Sequence, residues 1–144
     1  MTKKQSTSEL IIEKLKKLEH ATDELEKFKN MDKEKFFKDE IIQHACFYDF
    51  VIAIEAICDI GNHILAKYYL KGEPKYKDII IRLGELSIIP EKFIEEAVDM
   101  VDFRNFLIHA YTKIDVNKVY ANLQKGPEQF SEFAKSFIKF LEKI

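Results

Sequence analysis

IIQHACFYDFVIAIEAICDIGNHILA, residues 41–66, is apolar on nearly every side of a helical wheel and contains no proline. A helix that is greasy all round belongs at the centre of a bundle, not on its surface. The stretch therefore predicts a long, central, buried helix. It is N-capped by Asp32, continues through Phe36, Ile41, Phe47, Val51, Ile57 and Ile64 to about Leu70, and is stopped by Gly72 and Pro74. Its polar residues His44, Tyr48, Glu55, Asp59, Asn62 and His63 recur at helical spacing along a single line. That line is either the solvent-facing seam of the helix or, with Asp59 foremost, a polar stripe facing a cleft.

Around this element the 3–4 periodicity of apolar residues predicts further helices. Leu10, Ile11, Leu15, Leu18, Leu25 and Phe28 mark an amphipathic helix over about Ser8–Phe28, its other face carrying interleaved Lys and Glu. Lys14 and its neighbours there read as a solvated face. A short helix is expected over about Tyr76–Leu86, and another starts at Pro90, whose missing N–H costs nothing at a first helical position. Asp115 caps a short segment through Val119 and Leu123. Gly126-Pro127 then opens a terminal helix carrying Phe130, Phe133, Phe137, Ile138 and Leu141.

Composition agrees. The 144 residues are 47% hydrophobic and 33% charged, with four Gly and three Pro, too apolar for disorder and too poor in turn residues for an all-β fold. One all-α domain spanning residues 1–144 is expected. The net charge of −2 argues against a protein that coats nucleic acid through a general positive field, so any such contact is local. Cys46 and Cys58, roughly 18 Å apart along one helix, are beyond disulfide reach and read as reduced core thiols. No apolar run approaches the ~20 residues of a bilayer span and no secretory signal opens the chain, which predicts a cytoplasmic location and no membrane contact. His20, His44, His63 and His109 are scattered, with no metal-ligand spacing, and no glycine-rich phosphate loop occurs, so neither a metal nor a cofactor is expected.

The helix beginning at Pro90 carries the anomaly. Phe93, Ala97, Met100, Val101 and Ile108 cluster on its core side, and Arg104 lies in the middle of that apolar stripe. A guanidinium cannot be neutralised, so on an inward face it needs a carboxylate, a phosphate ligand or an intersubunit groove. Asn105 and His109, four apart, touch if the helix runs unbroken; Arg104 and Tyr111 share a face two turns apart. Taken singly these are an ion-pair partner, a half-buried histidine and a packed tyrosine. Together they are the one concentrated polar cluster within the core pattern, which favours a functional reading.

Arg104-Asn105-Phe106-Leu107-Ile108-His109-Ala110-Tyr111 resembles the Arg, four residues, His, any residue, Tyr signature of HepT-type HEPN ribonuclease toxins. The segments Ala56–Ile64, Leu83–Ile89 and Tyr111–Asp115 followed by Val119-Tyr120 are similar to that family in order and spacing, so the resemblance covers most of the chain. Asp102 is a departure, because a small residue often precedes Phe-Arg-Asn in the family; it brings negative charge near the groove.

The resemblance implies a HEPN-type bundle of about five to six helices that forms a homodimer, with the Arg and His of both subunits in a shared cleft, and that cuts RNA, tRNA or mRNA, without a metal. It further implies a type II/VII-like toxin–antitoxin system in which a cognate minimal nucleotidyltransferase antitoxin transfers AMP onto Tyr111. The residue chemistry is compatible with this. An imidazole such as that of His109 can take the proton of a ribose 2′-hydroxyl and Arg104 can stabilise the charge growing on the phosphate, leaving a 2′,3′-cyclic phosphate. Asn105 would orient the ring or contact phosphate, and Asp59 would accept from Arg104 or His109. The competing class is a non-catalytic helical module that binds or positions a substrate for a nucleotidyltransferase; the low net charge favours it.

Overall fold

Side-chain caps from Ser6, Asp32, Asp39 and Asp115 mark where four of the helices in this chain start. The computed structural model describes residues 6–110 and 113–144. Among them, helix α1 (Thr7–Lys29) opens on Ser6, whose hydroxyl accepts from the Glu9 N–H while the Glu9 carboxylate accepts from the Ser6 N–H, a reciprocal capping box. Asp32 caps α2 (Lys33–Lys38) as expected, but this helix is only six residues long. The continuous helix expected from Asp32 is broken at Asp39. The backbone of Asp39 turns extended, and its carboxylate accepts from the N–H groups of Ile41 and Ile42 at 3.0 and 3.2 Å, starting a separate α3 (Glu40–Tyr68). A second aspartate able to cap outcompetes one more turn of helix.

Helix α3 is central: α1, α2, α4, α5 and α6 all pack on it. Although no uninterrupted apolar run approaches a bilayer span, α3 is by length and average composition apolar enough to cross a membrane. In this fold its apolar surface serves the bundle core, with Phe50, Ile54, Ile57, Ile60, Ile64 and Leu65 buried. Each such side chain stabilises by about 2 kcal/mol through area removed from water.

The helix ends at Tyr68, before Gly72. Leu70 takes a left-handed φ of 60° and the Lys71 N–H closes back on the Leu65 carbonyl at 3.3 Å. Gly72 has a different task. A Cβ there would stand 2.7 Å from the Asn62 side-chain oxygen, and its absence lets the loop come close enough for the Glu73 N–H to donate to that oxygen at 2.9 Å. This clasp fixes the entry into α4 (Tyr76–Glu85).

A 3-10 turn over Glu91–Phe93, with Pro90 as its cap, precedes α5 (Ile94–His109), so the helix starts later than Pro90. The last helix, α6 (Val116–Lys143), is capped by Asp115 and runs through Pro127 without interruption. The expected restart at Gly126-Pro127 does not occur. An internal proline costs a helix about 3 kcal/mol. Val119 and Leu123 before it and Phe130, Phe133 and Phe137 after it are buried on one face, and that shared burial offsets the lost bond.

Candidate active site

The edge-to-face contact of Phe50 and Phe103, with ring centroids 5.0 Å apart, locks α5 against α3. One residue further along α5, Arg104 is thereby directed between α3 and α4, half-buried with 21% of its side chain exposed. The buried face of α5 is Ala97, Met100, Val101, Phe103 and Leu107, rotated from the expected one; Ile108 is 36% exposed.

Three groups hold the guanidinium. Nη2 donates to Glu55 Oε1 at 2.7 Å, and Nη1 donates to Asn105 Oδ1 at 2.9 Å. The Tyr76 ring lies 5.0 Å from its central carbon. Charge-assisted bonds of this kind set orientation as well as energy, and a cation over an aromatic face adds about 1 kcal/mol. Nε is buried without an acceptor among the described residues, a desolvated donor that costs about 1–3 kcal/mol. Each terminal nitrogen carries a second N–H, so the group can still bind phosphate in two places. Burial, together with the carboxylates of Asp59 and Glu55, pushes the Tyr76 hydroxyl up despite Arg104, keeping it protonated. The Cys58 thiol nearby, pushed up to about 12 by burial and then by Asp59, is no nucleophile.

Asp59 is not the carboxylate that meets Arg104. Glu55 is, one turn earlier on the same polar stripe, because α5 crosses α3 at that level. Asp59 instead pairs with Lys14 of α1 at 3.4 Å, so Lys14, with 25% of its side chain exposed, is not on a wet face. The stripe is thus mixed. Glu55, Asp59 and Asn62 make tertiary contacts, while His44 and Tyr48 face solvent.

His109 is the last residue of α5 and is exposed; the following residue closes the helix, its N–H donating to the Phe106 carbonyl at 2.9 Å. The helix does run unbroken to His109, yet the Asn105 amide oxygen is engaged by Arg104, not by the imidazole. Residues five apart point about 140° from each other on a helix. One chain therefore does not close Arg104 and His109 over a single point, and the cavity beside Arg104 includes Asn105 but not His109. Tyr111 lies outside the described residues. Asp102, the departure noted in the sequence, is neutralised across the α4–α5 contact by Lys77 at 2.6 Å. Among the described residues no three His, Cys, Asp or Glu side chains gather as metal ligands would.

A half-buried arginine on the fifth helix of an all-α bundle, with an exposed histidine five residues on, is compatible with the HEPN-type domain that the sequence resembles, and known proteins agree. The family described as ribonuclease HepT-like matches residues 18–137; the chain belongs to it. The tRNA nuclease HepT of Aphanizomenon flos-aquae is 26% identical over 124 residues, covering 83% of this chain and 81% of that protein. The mRNA nuclease HepT of Shewanella oneidensis is 26% identical over 102 residues, 71% of this chain and 77% of that one. Among solved structures, the tri-AMPylated HEPN toxin of Shewanella oneidensis in complex with its MNT antitoxin superposes with a TM-score of 0.81 at 22% identity, over 90% of this chain and 96% of that one. The shared fold is that of the HEPN toxin.

Proposed function

We propose that this protein is a metal-independent RNA endonuclease, the toxin of a toxin–antitoxin pair, working in the cytoplasm on tRNA or mRNA. The observation that carries the reading is the fixed guanidinium of Arg104 on the same short helix as the exposed imidazole of His109, in the order Arg, four residues beginning with Asn, His, any residue, Tyr that resembles HepT-type nucleases. His109 removes the 2′-hydroxyl proton, and the freed oxygen attacks the adjacent phosphorus. Arg104 donates to the oxygens on which charge accumulates, and Asn105 keeps Arg104 aimed. The P–O5′ bond breaks, a proton goes to the leaving 5′-oxygen, and a 2′,3′-cyclic phosphate remains.

Because one chain points Arg104 and His109 in different directions, the reading includes a homodimer whose two copies build the cleft together. Ile41, Tyr48 and Glu55 follow one face of α3 at seven-residue intervals. With Ile41 80% and Tyr48 66% exposed, an apolar strip runs into the Arg104–Glu55 pair and suits a second copy. Tyr111, two residues past His109, is the site at which a nucleotidyltransferase antitoxin places AMP; the added phosphodiester would compete with RNA for Arg104. Relatives named as HepT nucleases support the ribonuclease reading, and a tri-AMPylated neighbour bound to an MNT antitoxin supports the antitoxin reading.

The test is purified protein with RNA in EDTA, repeated with His109→Ala. Cutting by the wild type that stops in the folded variant, on ribose but not on a 2′-deoxy scissile position, is expected. No cutting by the wild type rejects the nuclease and leaves a non-catalytic module for a nucleotidyltransferase; continued cutting at a 2′-deoxy position rejects attack by the 2′-oxygen and the cyclic product.

A further inference from the structure

On the α4 side of Arg104 a cavity of about 390 Å³ opens, walled by Pro74, Lys75, Tyr76, Val101, Arg104 and Asn105. Its size falls in the range that holds small ligands. The wall is built in two halves. Pro74, Val101 and the Tyr76 ring make an apolar, partly aromatic surface; Lys75 and Arg104 place two cations on its rim. No lining residue is acidic. Lys77, which also borders it, is already paired with Asp102, whereas Lys75 is exposed and has no carboxylate within ion-pair distance among the described residues. The clasp of Glu73 on Asn62 holds this wall in place, so the surface is formed before any ligand arrives.

A flat π-surface beside cations spaced along one rim is what single-stranded nucleic acid needs: a face for the base and charge for its phosphate. We propose that this cavity is a nucleotide subsite flanking the scissile phosphate, in which a base of single-stranded RNA packs against Tyr76 and Pro74 and its phosphate binds Lys75. The inference rests on the ribonuclease reading and adds to it the strand's path, along α4 and away from His109. It also gives Tyr76 two tasks, seating Arg104 on one face of its ring and contacting a base with what remains open. Stacking is tolerant of sequence, so the subsite contributes affinity and little base choice.

The experiment measures binding of fluorescein-labelled single-stranded oligo(U) and oligo(A) by anisotropy, in the His109→Ala background so that nothing is cut. Tyr76→Leu weakens both by about tenfold and Tyr76→Phe by less than twofold. Lys75→Ala weakens binding severalfold at low salt and lowers the slope of log affinity against log salt by about one. Lys16→Ala removes the same charge from the exposed face of α1 and serves as the control. Parent-like binding by both Tyr76→Leu and Lys75→Ala, or no binding of either oligonucleotide by the parent, overturns the subsite. If Tyr76→Leu does not fold, Lys75→Ala decides alone. Cleavage by the unmutated protein is scored separately: cutting together with parent-like binding by both variants sinks the subsite only, whereas binding without cutting sinks the nuclease.

Discussion

Glu55 Oε1 sits 2.7 Å from Arg104 Nη2, joining the middle of α3 to the last third of α5. This carboxylate holds the guanidinium in orientation and at the same time offsets the charge that RNA phosphate must find. The two effects separate by substitution. Glu55→Gln keeps an acceptor and removes the charge, so it should retain cleavage and bind RNA several-fold more tightly. Glu55→Ala leaves a half-buried guanidinium unpaired, and should cost about 1–2 kcal/mol in urea unfolding while lowering cleavage at least tenfold. Equal cleavage by the two variants would show that the contact does not orient Arg104.

Asp102 and Lys77 form an exposed pair at 2.6 Å. Exposed pairs contribute about 0–1 kcal/mol. Asp102→Ala is therefore expected to leave the melting temperature within about 2 °C, while freeing Lys77 and steepening the salt dependence of RNA binding by about one phosphate contact. Titration across a salt series, with the parent alongside, reads both.

Tyr111→Phe removes only a hydroxyl. Cleavage should persist, whereas incubation with ATP and the cognate nucleotidyltransferase should no longer add AMP or silence the protein. Intact mass and residual cleavage are the two measurements; adenylylation of the Phe variant would move the modification site elsewhere.

Asp49, buried on α3, has its carboxyl pushed up to about 6 from an ordinary 3.8, first by burial and then by Glu24 of α1, with His20 opposing. The folded state then holds this proton more tightly than the unfolded chain. The stabilisation is fully present below about pH 4 and is lost as pH rises through about 6. Asp49→Asn should abolish that loss, raising the melting temperature at pH 7 by about 4 °C, or on the order of 1 kcal/mol, and by little at pH 4. Parallel melts of parent and variant across this range are the check; a constant difference would exclude titration of Asp49.

Local signals were enough for much of this. The helices expected over about Ser8–Phe28 and Tyr76–Leu86 and found at Thr7–Lys29 and Tyr76–Glu85 follow from local sequence pattern, and Arg104 stood out because a permanent cation occupied an apolar stripe. The break at Asp39 was written in the sequence as a second capping aspartate, but one cap competes with a continuing helix by only about 1 kcal/mol, too little to decide from the residues themselves. Pro127 misled in the opposite direction, since its local cost is plain while the burial that offsets it comes from α1 and α3.

The sequence by itself determined that the chain is all-helical, that residues 41–66 are central, and that Arg104 and Asn105 sit together on the helix after Pro90, because each is a matter of periodicity within a single element; that this helix runs unbroken to His109 was decided by the structure. Only the tertiary structure decided which carboxylate meets Arg104, that Tyr76 lies across it, and that Asp102 is answered by Lys77. Those partners come from helices whose relative rotation and crossing level are set by the packing of Phe50, Phe103 and the rest of the core. A shift of one helical turn exchanges Glu55 for Asp59 without altering any local pattern.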